Sequence, residues 1–568
     1  LVLRCTPGNT YFNSIKMGPN IIELRPDYKL LNPNFDGYKL SLKSIPSAKK
    51  TLSTSVYRIL LDPRRFSLLH VKLFGLHNHL YGETVNETKS VYFVDEEWNL
   101  CKTYVDTCVF EMCDPIKVWK IPKPEEQKSR YYNITLKFVN ESLLVLTDGM
   151  GMLYLLNTGD RNVDNLFTLI HSELIEICNE GFIIKDAKHI TSDQKEQLHI
   201  LITHVKQSET KDHYITVVNW ISLTKLVDGW GQSALREIHI KGDIQYISLD
   251  KCCEAIYLVS DGKSTFKLNS EYPVDVLSNV TYNWSQTDTT VNVKVTLPEN
   301  IDKTKLTVTS HFNNLTVKYE DTVLLNEMLQ KAVESDSTNW NVENNELNIV
   351  LKKVDNLMWT SLTGENKNTD IFEAEFKMNE EYNDRGNIYN SQQIEDCDLE
   401  YDKIVKFEKI CGKTNRTVAK SNMGSNPVLL TINMEHDCPP ALGLRHDVDI
   451  LMWQINQNEN SDFEIKHKGT LHAFGYIQAS KQQKKFMVCS PDLNSVVICQ
   501  DTRHIFLYKQ QSTIDSGELR NRNTGRYIPK MAQQYVINID NEEIIGVYCS
   551  NKFLFILGNL YISVFNIA

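Results

Sequence analysis

The sequence has no run of the ~18 consecutive apolar residues that a membrane-spanning helix needs. Its longest apolar stretches, such as Phe553–Leu557, have strand length, so membrane insertion is not expected. The first sixteen residues carry Thr, Asn, Tyr and Ser and no apolar h-region, which argues against a secretory signal. Met17 reads as an alternative start, and residues 1–29 are expected to form a disordered extension. The 13 cysteines include no CxxC pair, which fits reduced thiols in the cytoplasm or nucleus rather than a disulfide scaffold. P-loop, GxSxG, HExxH and dinucleotide-binding patterns are all missing. The chain is therefore expected to be non-enzymatic, with no catalytic residues, cofactor or metal.

An excess of basic charge is also missing. The formal net charge is −11, and most of it sits between Gly364 and Lys403, where 12 acidic residues face 4 basic ones. The near-neutral remainder gives no footprint for direct nucleic-acid binding. Short basic groups (Lys481, Lys484, Lys485; Arg520, Arg522, Arg526) read as solvated loops. Residues 366–404 read as an acidic flexible linker, with a binding tail as the alternative.

Helical periodicity is scarce. Ser172–Glu180 and Leu325–Glu334 are short candidates. β-Branched and aromatic runs broken by turn residues dominate instead. One hairpin pattern recurs: an apolar strand, an Asp-led turn, and apolar residues again five positions after the Asp. It occurs at Asp95, Asp148, Asp261 and Asp501, with related turns at Asp447 and Gly558 and a hairpin placed near residue 205. Asp95 and Asp148 lie 53 residues apart, and Asp447 and Asp501 lie 54 apart. An all-strand repeat of this length predicts propeller blades. Four units before residue 270 and three after 405 suggest seven. Gly37–Leu42 is expected to close the ring by pairing near Tyr561–Val564, because an open edge strand invites unwanted pairing.

The period breaks between Asp261 and Asp447. Val291, Val293, Val295 and Leu297 alternate with polar residues there, as do Leu347, Ile349 and Leu351, which predicts half-buried antiparallel strands. About seven short strands would make a small β-sandwich.

Tyr282-Asn283-Trp284-Ser285-Gln286, Val291 through Pro298, Ser337-Thr338-Asn339-Trp340, Leu347–Lys353 and Trp359 follow in order. Over residues 275–362 this order resembles the CS domain of the NudC and co-chaperone family. It departs where the family's usual glycine is replaced by Asn326 or Glu327, which puts that turn's geometry in question. Leu31–Leu42, Leu444–Asp449 with Trp453, and Gly475–Lys481 leading to Lys484-Lys485-Phe486 extend the resemblance from Met17 to Ala568.

The expected architecture is all-β: a propeller from residues 30–270 and 405–568, interrupted by a CS-type antiparallel sandwich at 271–365. The resemblance implies a co-chaperone-like interaction protein whose partners are proteins. These would be the ninety-kilodalton heat-shock chaperone machinery and folding clients, β-propeller proteins among them. The alternative is a scaffold in which the propeller is the main platform and the CS unit an accessory. An enzyme using the propeller channel is a third reading with little support in the residues. Lys294, Lys352 and Lys353 are the candidate protein-binding residues, as cations on the sandwich strands. Tyr282, Trp284, Gln286, Pro298, Trp340 and Trp359 form the family signature. The tryptophans among them could fill the core or form a recognition surface. His77-Asn78-His79 has metal-ligand spacing, and His446-Asp447-Val448-Asp449 could be a metal or acid–base cluster; both read as structural.

Overall fold

A computed structural model describes residues 19–61, 66–83, 90–124, 131–175, 181–192, 195–208, 213–227, 229–271, 282–297, 306–311, 314–319, 322–334, 337–343, 346–355, 357–362, 405–424, 426–435, 438–457, 463–481, 483–501, 504–513, 520, 525, 530–539 and 542–568. The acidic segment 366–404 lies outside the described residues. The chain divides into two compact units. One draws on residues up to 230, 234–270 and 399 onward, and the other on 231–233 and 271–398.

Seven sheets of four or five strands make up the first unit among the described residues. Each begins with an inner strand: Tyr81–Gly82, Thr135–Phe138, Ile183–Ser192, Ile244–Leu249, Val428–Ile432, Lys484–Cys489 or Gly546–Cys549. These strands, or residues beside them, surround a central channel of about 1180 Å³. The fold is a β-propeller. Its sheets are packed on both faces, so the strands read as continuous apolar runs: all four residues of Val91–Val94 are buried, and so are Leu144–Thr147. Apolar clusters fill the seams. Tyr92, Leu100, Leu136 and Leu146 form one, and Val145, Leu155, Ile200 and Ile202 form the next.

The Asp-led turns have a physical cause. Asp148 Oδ1 accepts from the backbone N–H of Met150 and Met152 (2.7 and 3.0 Å), and Asp95 Oδ1 accepts from Asn99 N–H (2.8 Å). A carboxylate thereby satisfies loop donors that the ladder leaves open. Hairpins form as expected around Asp95, Asp148, residues 207–214, Asp447, Asp501 and Gly558.

The hairpin expected at Asp261–Gly262 does not form. Ala255–Ser260 pairs instead with Ile244–Leu249 on one side and Lys406–Cys411 on the other. Ser264–Glu271 crosses to the outer edge of the preceding sheet, beside Gly229–Ile240. The insertion therefore interrupts a sheet. Two of its strands precede the second unit and two follow it, so three sheets lie before, one straddles and three come after. The true turn is at Asp250, whose Oδ1 accepts from Glu254 N–H (2.8 Å).

Three N-terminal strands cover outer edges. Asn20–Ile21 lies parallel to Arg416–Asn422, and Tyr38–Leu40 lies parallel to Lys530–Asn538. Ser47–Thr51 pairs antiparallel with Tyr561–Asn566. This corrects two expectations. Residues 19–29 are packed rather than a loose extension, with Asp27 N–H donating to His467 Nδ1 (3.1 Å); residues 1–18 lie outside the described residues. Closure on the last strand is made by Ser47–Thr51, not by Gly37–Leu42. Tyr38 holds its own strand one sheet away: its ring meets Phe474 and Tyr508, and its hydroxyl donates to His472 O (2.9 Å).

Neither expected helix forms in the described residues. Thr168–Leu174 and Thr322–Met328 are strands. The described α-helices are Leu68–Phe74 and Phe474–Ala479. None is long and apolar enough to cross a membrane.

One buried group gives the propeller a pH signature. His199 is 7 % exposed, and its Nδ1 accepts from Trp220 Nε1–H and Ser222 Oγ–H (3.2 and 2.9 Å). Burial, assisted by Arg236, pushes its pKa down to about 4. The unfolded chain therefore binds this proton first as pH falls, and the stabilisation present above pH ~6.5 is lost progressively towards pH ~4. At pH 5.5 the loss from His199 is about 1.4 kcal/mol. Urea unfolding at pH 7.5 and 5.5 should show it, and His199→Gln should flatten the difference by that amount. An unchanged pH dependence in the variant would rule the assignment out.

Candidate functional site

The second unit is a sandwich. Tyr282–Gln286, Thr290–Thr296, Glu346–Lys352 and Asn339–Glu343 form one sheet in that order, and Leu306–His311, Asn314–Tyr319 and Thr322–Met328 form the other. Alternation puts Val291, Val293 and Val295 opposite Leu351, Ile349 and Leu347 on the inner face. These residues pack with Leu315, Val317 and Trp359 into a single core. Asn326 and Glu327 lie inside a paired strand, facing Thr316 and Leu315. The place where the family's glycine is replaced is therefore not a turn.

The signature residues do structural work at one corner. Gln286 Oε1 accepts from Trp359 N–H (2.8 Å), and Gln286 Nε2 donates to Trp359 O (2.6 Å). Lys353 Nζ donates to Gln286 Oε1, Thr287 O and Leu357 O (2.8, 2.8 and 3.0 Å). Side-chain groups thus tie the final segment to the first strand, where no ladder could. Lys353 is only 3 % exposed. Its candidacy as a docking residue is overturned: all three ammonium protons are spent inside the domain. The alternation itself held the signal, since Lys353 stands two positions after the inward Leu351.

Tyr282 and Trp284 lie half-buried against the core, and Trp359 is buried within it. Trp340 stands on the edge strand Asn339–Glu343 and is 38 % exposed. Pro298 lies outside the described residues.

Lys294 and Lys352 do face solvent. Cross-strand pairing puts Lys294 beside Asn283 and Asn348 and Lys352 beside Thr290, on an outer face that is polar apart from Val350. Lys352 is paired with Glu334 (2.8 Å), which keeps that carboxyl below its ordinary range. Among the described residues no carboxylate pairs with Lys294. Charge alone did not point to the next loop, where Val354, Leu357 and Met358 are each about 60 % exposed. Lys353 and Trp359 pin this apolar loop from below. Its sequence signal was three apolar residues around the turn-forming Asp355-Asn356.

In the propeller, the rings of His77 and His79 meet at 4.6 Å. Burial holds His77 well below its ordinary pKa and brings His79 down to about 4. Among the described residues, no cluster of three or more metal-ligating groups occurs. Asn78, between the two histidines, exchanges two hydrogen bonds with the Val547 backbone (2.8 and 2.9 Å) and so joins the first and last sheets. His446 and Asp449 are the paired ends of a hairpin, and Asp449 Oδ1 caps Ala473 N–H (2.6 Å).

The family model that matches is the CS domain, over residues 280–353. The inserted sandwich is a CS domain. Around it, the similarity runs the length of the chain. NudC domain-containing protein 1 from Mus musculus is 27% identical, covering 94% of this chain and 96% of the mouse protein. Its Xenopus tropicalis counterpart is 26% identical, covering 96% and 98%. Among solved structures, the β-propeller domain of Myceliophteria thermophila Cps50 (Swd1) aligns with 76% of this chain and 95% of its own, at 7% identity and a TM-score of 0.26. The propeller assignment rests on the seven sheets themselves. The full-length resemblance expected from the flanks of the CS domain is thus found.

Proposed function

We propose that the protein acts by docking other proteins, as a co-chaperone does, and performs no chemistry of its own. The CS domain is the docking module. Chaperone machinery and folding clients are the partners that the NudC resemblance implies, and the cytoplasm or nucleus is where they would be met. The observation that carries this reading is Lys294, unpaired among the described residues on the outer sheet face, in a domain whose Gln286–Lys353–Trp359 corner is spent on holding itself together. An acidic partner surface could meet that face, with Val350, exposed on the same side of the sheet, and the Val354–Met358 loop supplying apolar contact.

Capture of a purified acidic chaperone by the full chain tests it. Lys294→Glu should change stability by no more than about 0.5 kcal/mol. It should weaken capture roughly fivefold at low salt, the scale of about 1 kcal/mol for an exposed pair, and flatten the salt dependence. Capture unchanged at every salt concentration would move the docking surface off this sheet.

One observation favours the propeller as a second platform. Thr168–Leu174 is an outermost strand whose Leu169, Ile170 and Leu174 are exposed, as is Leu166 before it. Among the described residues nothing pairs with its outer edge. An extended apolar segment of a client could add there, as the N-terminal strands add to other edges. Ile170→Asp would weaken client binding and leave the Lys294-dependent capture intact.

A further inference from the structure

At the start of the inner strand Ile183–Ser192, Lys185 stands between two hollows. One is the central channel, and the other is a side cavity of about 240 Å³. Leu61, Leu73, Phe74, Leu76 and Leu136 give the side cavity an apolar part, and polar side chains make up about half of its wall. Several of its other polar members are occupied. Tyr81 OH donates to Ile134 O (2.7 Å) and so accepts from His77 Nε2–H (3.0 Å). Thr135 Oγ1 accepts from Ile184 N–H (2.9 Å), and the Asn133 amide exchanges bonds with the Ile59 backbone (2.7 and 3.2 Å). Lys185 differs. Among the described residues it has no hydrogen bond and no ion pair. Burial lowers its pKa, and Asp243 acts on it in the opposite sense from beyond ion-pairing distance.

A half-buried ammonium without a protein partner leaves its donors unmet on the cavity side, and an anion delivered there supplies both the charge and the acceptors. We propose that this cavity binds a small organic monocarboxylate, with the carboxylate on Lys185 Nζ and the apolar body against Leu73, Phe74 and Leu136. A monoanion fits better than a phosphate. The site offers one free ammonium with Asp243 nearby, whereas a dianion calls for several donors. The size also fits: an apolar cavity of about 150 Å³ takes up benzene, so the larger cavity here holds a body of about six carbons.

Calorimetric titration of the full chain with hexanoate, hexanamide and inorganic phosphate tests the site. Hexanoate should bind saturably, hexanamide at least tenfold more weakly, and phosphate more weakly still. Lys185→Met keeps the stem and removes the charge. It should melt no lower than the unaltered protein and lose hexanoate affinity at least tenfold. Leu73→Phe, which fills the cavity and leaves the amine, should also lose it. The proposal is overturned if hexanoate does not saturate, if hexanamide or phosphate binds equally well, or if either variant retains full affinity.

Discussion

Lys353→Glu should unfold the CS domain, while Lys294→Glu leaves it intact. The two lysines have the same charge and lie in the same sandwich, but only Lys353 is buried. A carboxylate at 353 would face Gln286 Oε1 and the carbonyls of Thr287 and Leu357, all acceptors, with no donor to meet it. Breaking a buried, fully hydrogen-bonded charge costs about 3–5 kcal/mol. Against a total of ~5–15 kcal/mol for a domain, that is a large share. Thermal melting of the full chain should lose its CS transition or show it at a much lower temperature. Lys353→Met, which removes the charge without adding a repulsive one, should fall between Lys353→Glu and the unaltered protein. A fully folded Lys353→Glu domain would mean that this corner is not what holds the final segment.

The second large effect is expected at the propeller's closure. Asn78→Ala removes the amide that stands in for backbone between the first and last sheets. Val547, 1 % exposed, would be left with both its N–H and its C=O unpaired. Each stranded buried group costs about 1–3 kcal/mol, so a loss of roughly 2–5 kcal/mol is expected. The urea midpoint should fall by that amount. The neighbouring His79 N–H to Ile545 O bond (3.2 Å) supports the same seam, so the variant should remain folded without denaturant. A change under 1 kcal/mol would show that the outer strand Ser47–Thr51 alone closes the ring.

What the sequence disclosed follows from which residues have one physical use. The Asp-led turns were legible because a carboxylate at a hairpin tip has nearby N–H groups to satisfy, as at Asp148. The same signature misled at Asp261, whose carboxylate instead accepts from Asp243 N–H across the strand ends (2.6 Å). The period would have corrected this. Asp250 lies 102 residues after Asp148, close to two repeats, whereas Asp261 lies 113 after it. The closing strand Ser47-Ala48-Lys49-Lys50-Thr51 could not be seen, because it pairs through its backbone and offers solvent-facing polar side chains.

In the CS domain the alternating strands were plain, since one face is buried and the other wet. Charge alone does not reveal the role of Lys353, because the register that puts Leu351 inward also turns Lys353 into the domain. Lys185 went unnoticed because nothing in Ile183-Ile184-Lys185-Asp186 distinguishes a lysine facing a cavity from one facing solvent.

The most direct test is to excise residues 272–404 and join Glu271 to Val405 with a short flexible linker. The interrupted sheet has partners on both sides of the cut, since Ala255–Ser260 pairs with Lys406–Cys411 along six residues. The shortened protein should still unfold in one cooperative transition and should no longer capture the acidic chaperone that the full chain captures. A folded propeller that retains full capture would contradict the CS domain as the docking module, and a chain that cannot fold would contradict the propeller as a unit complete without it.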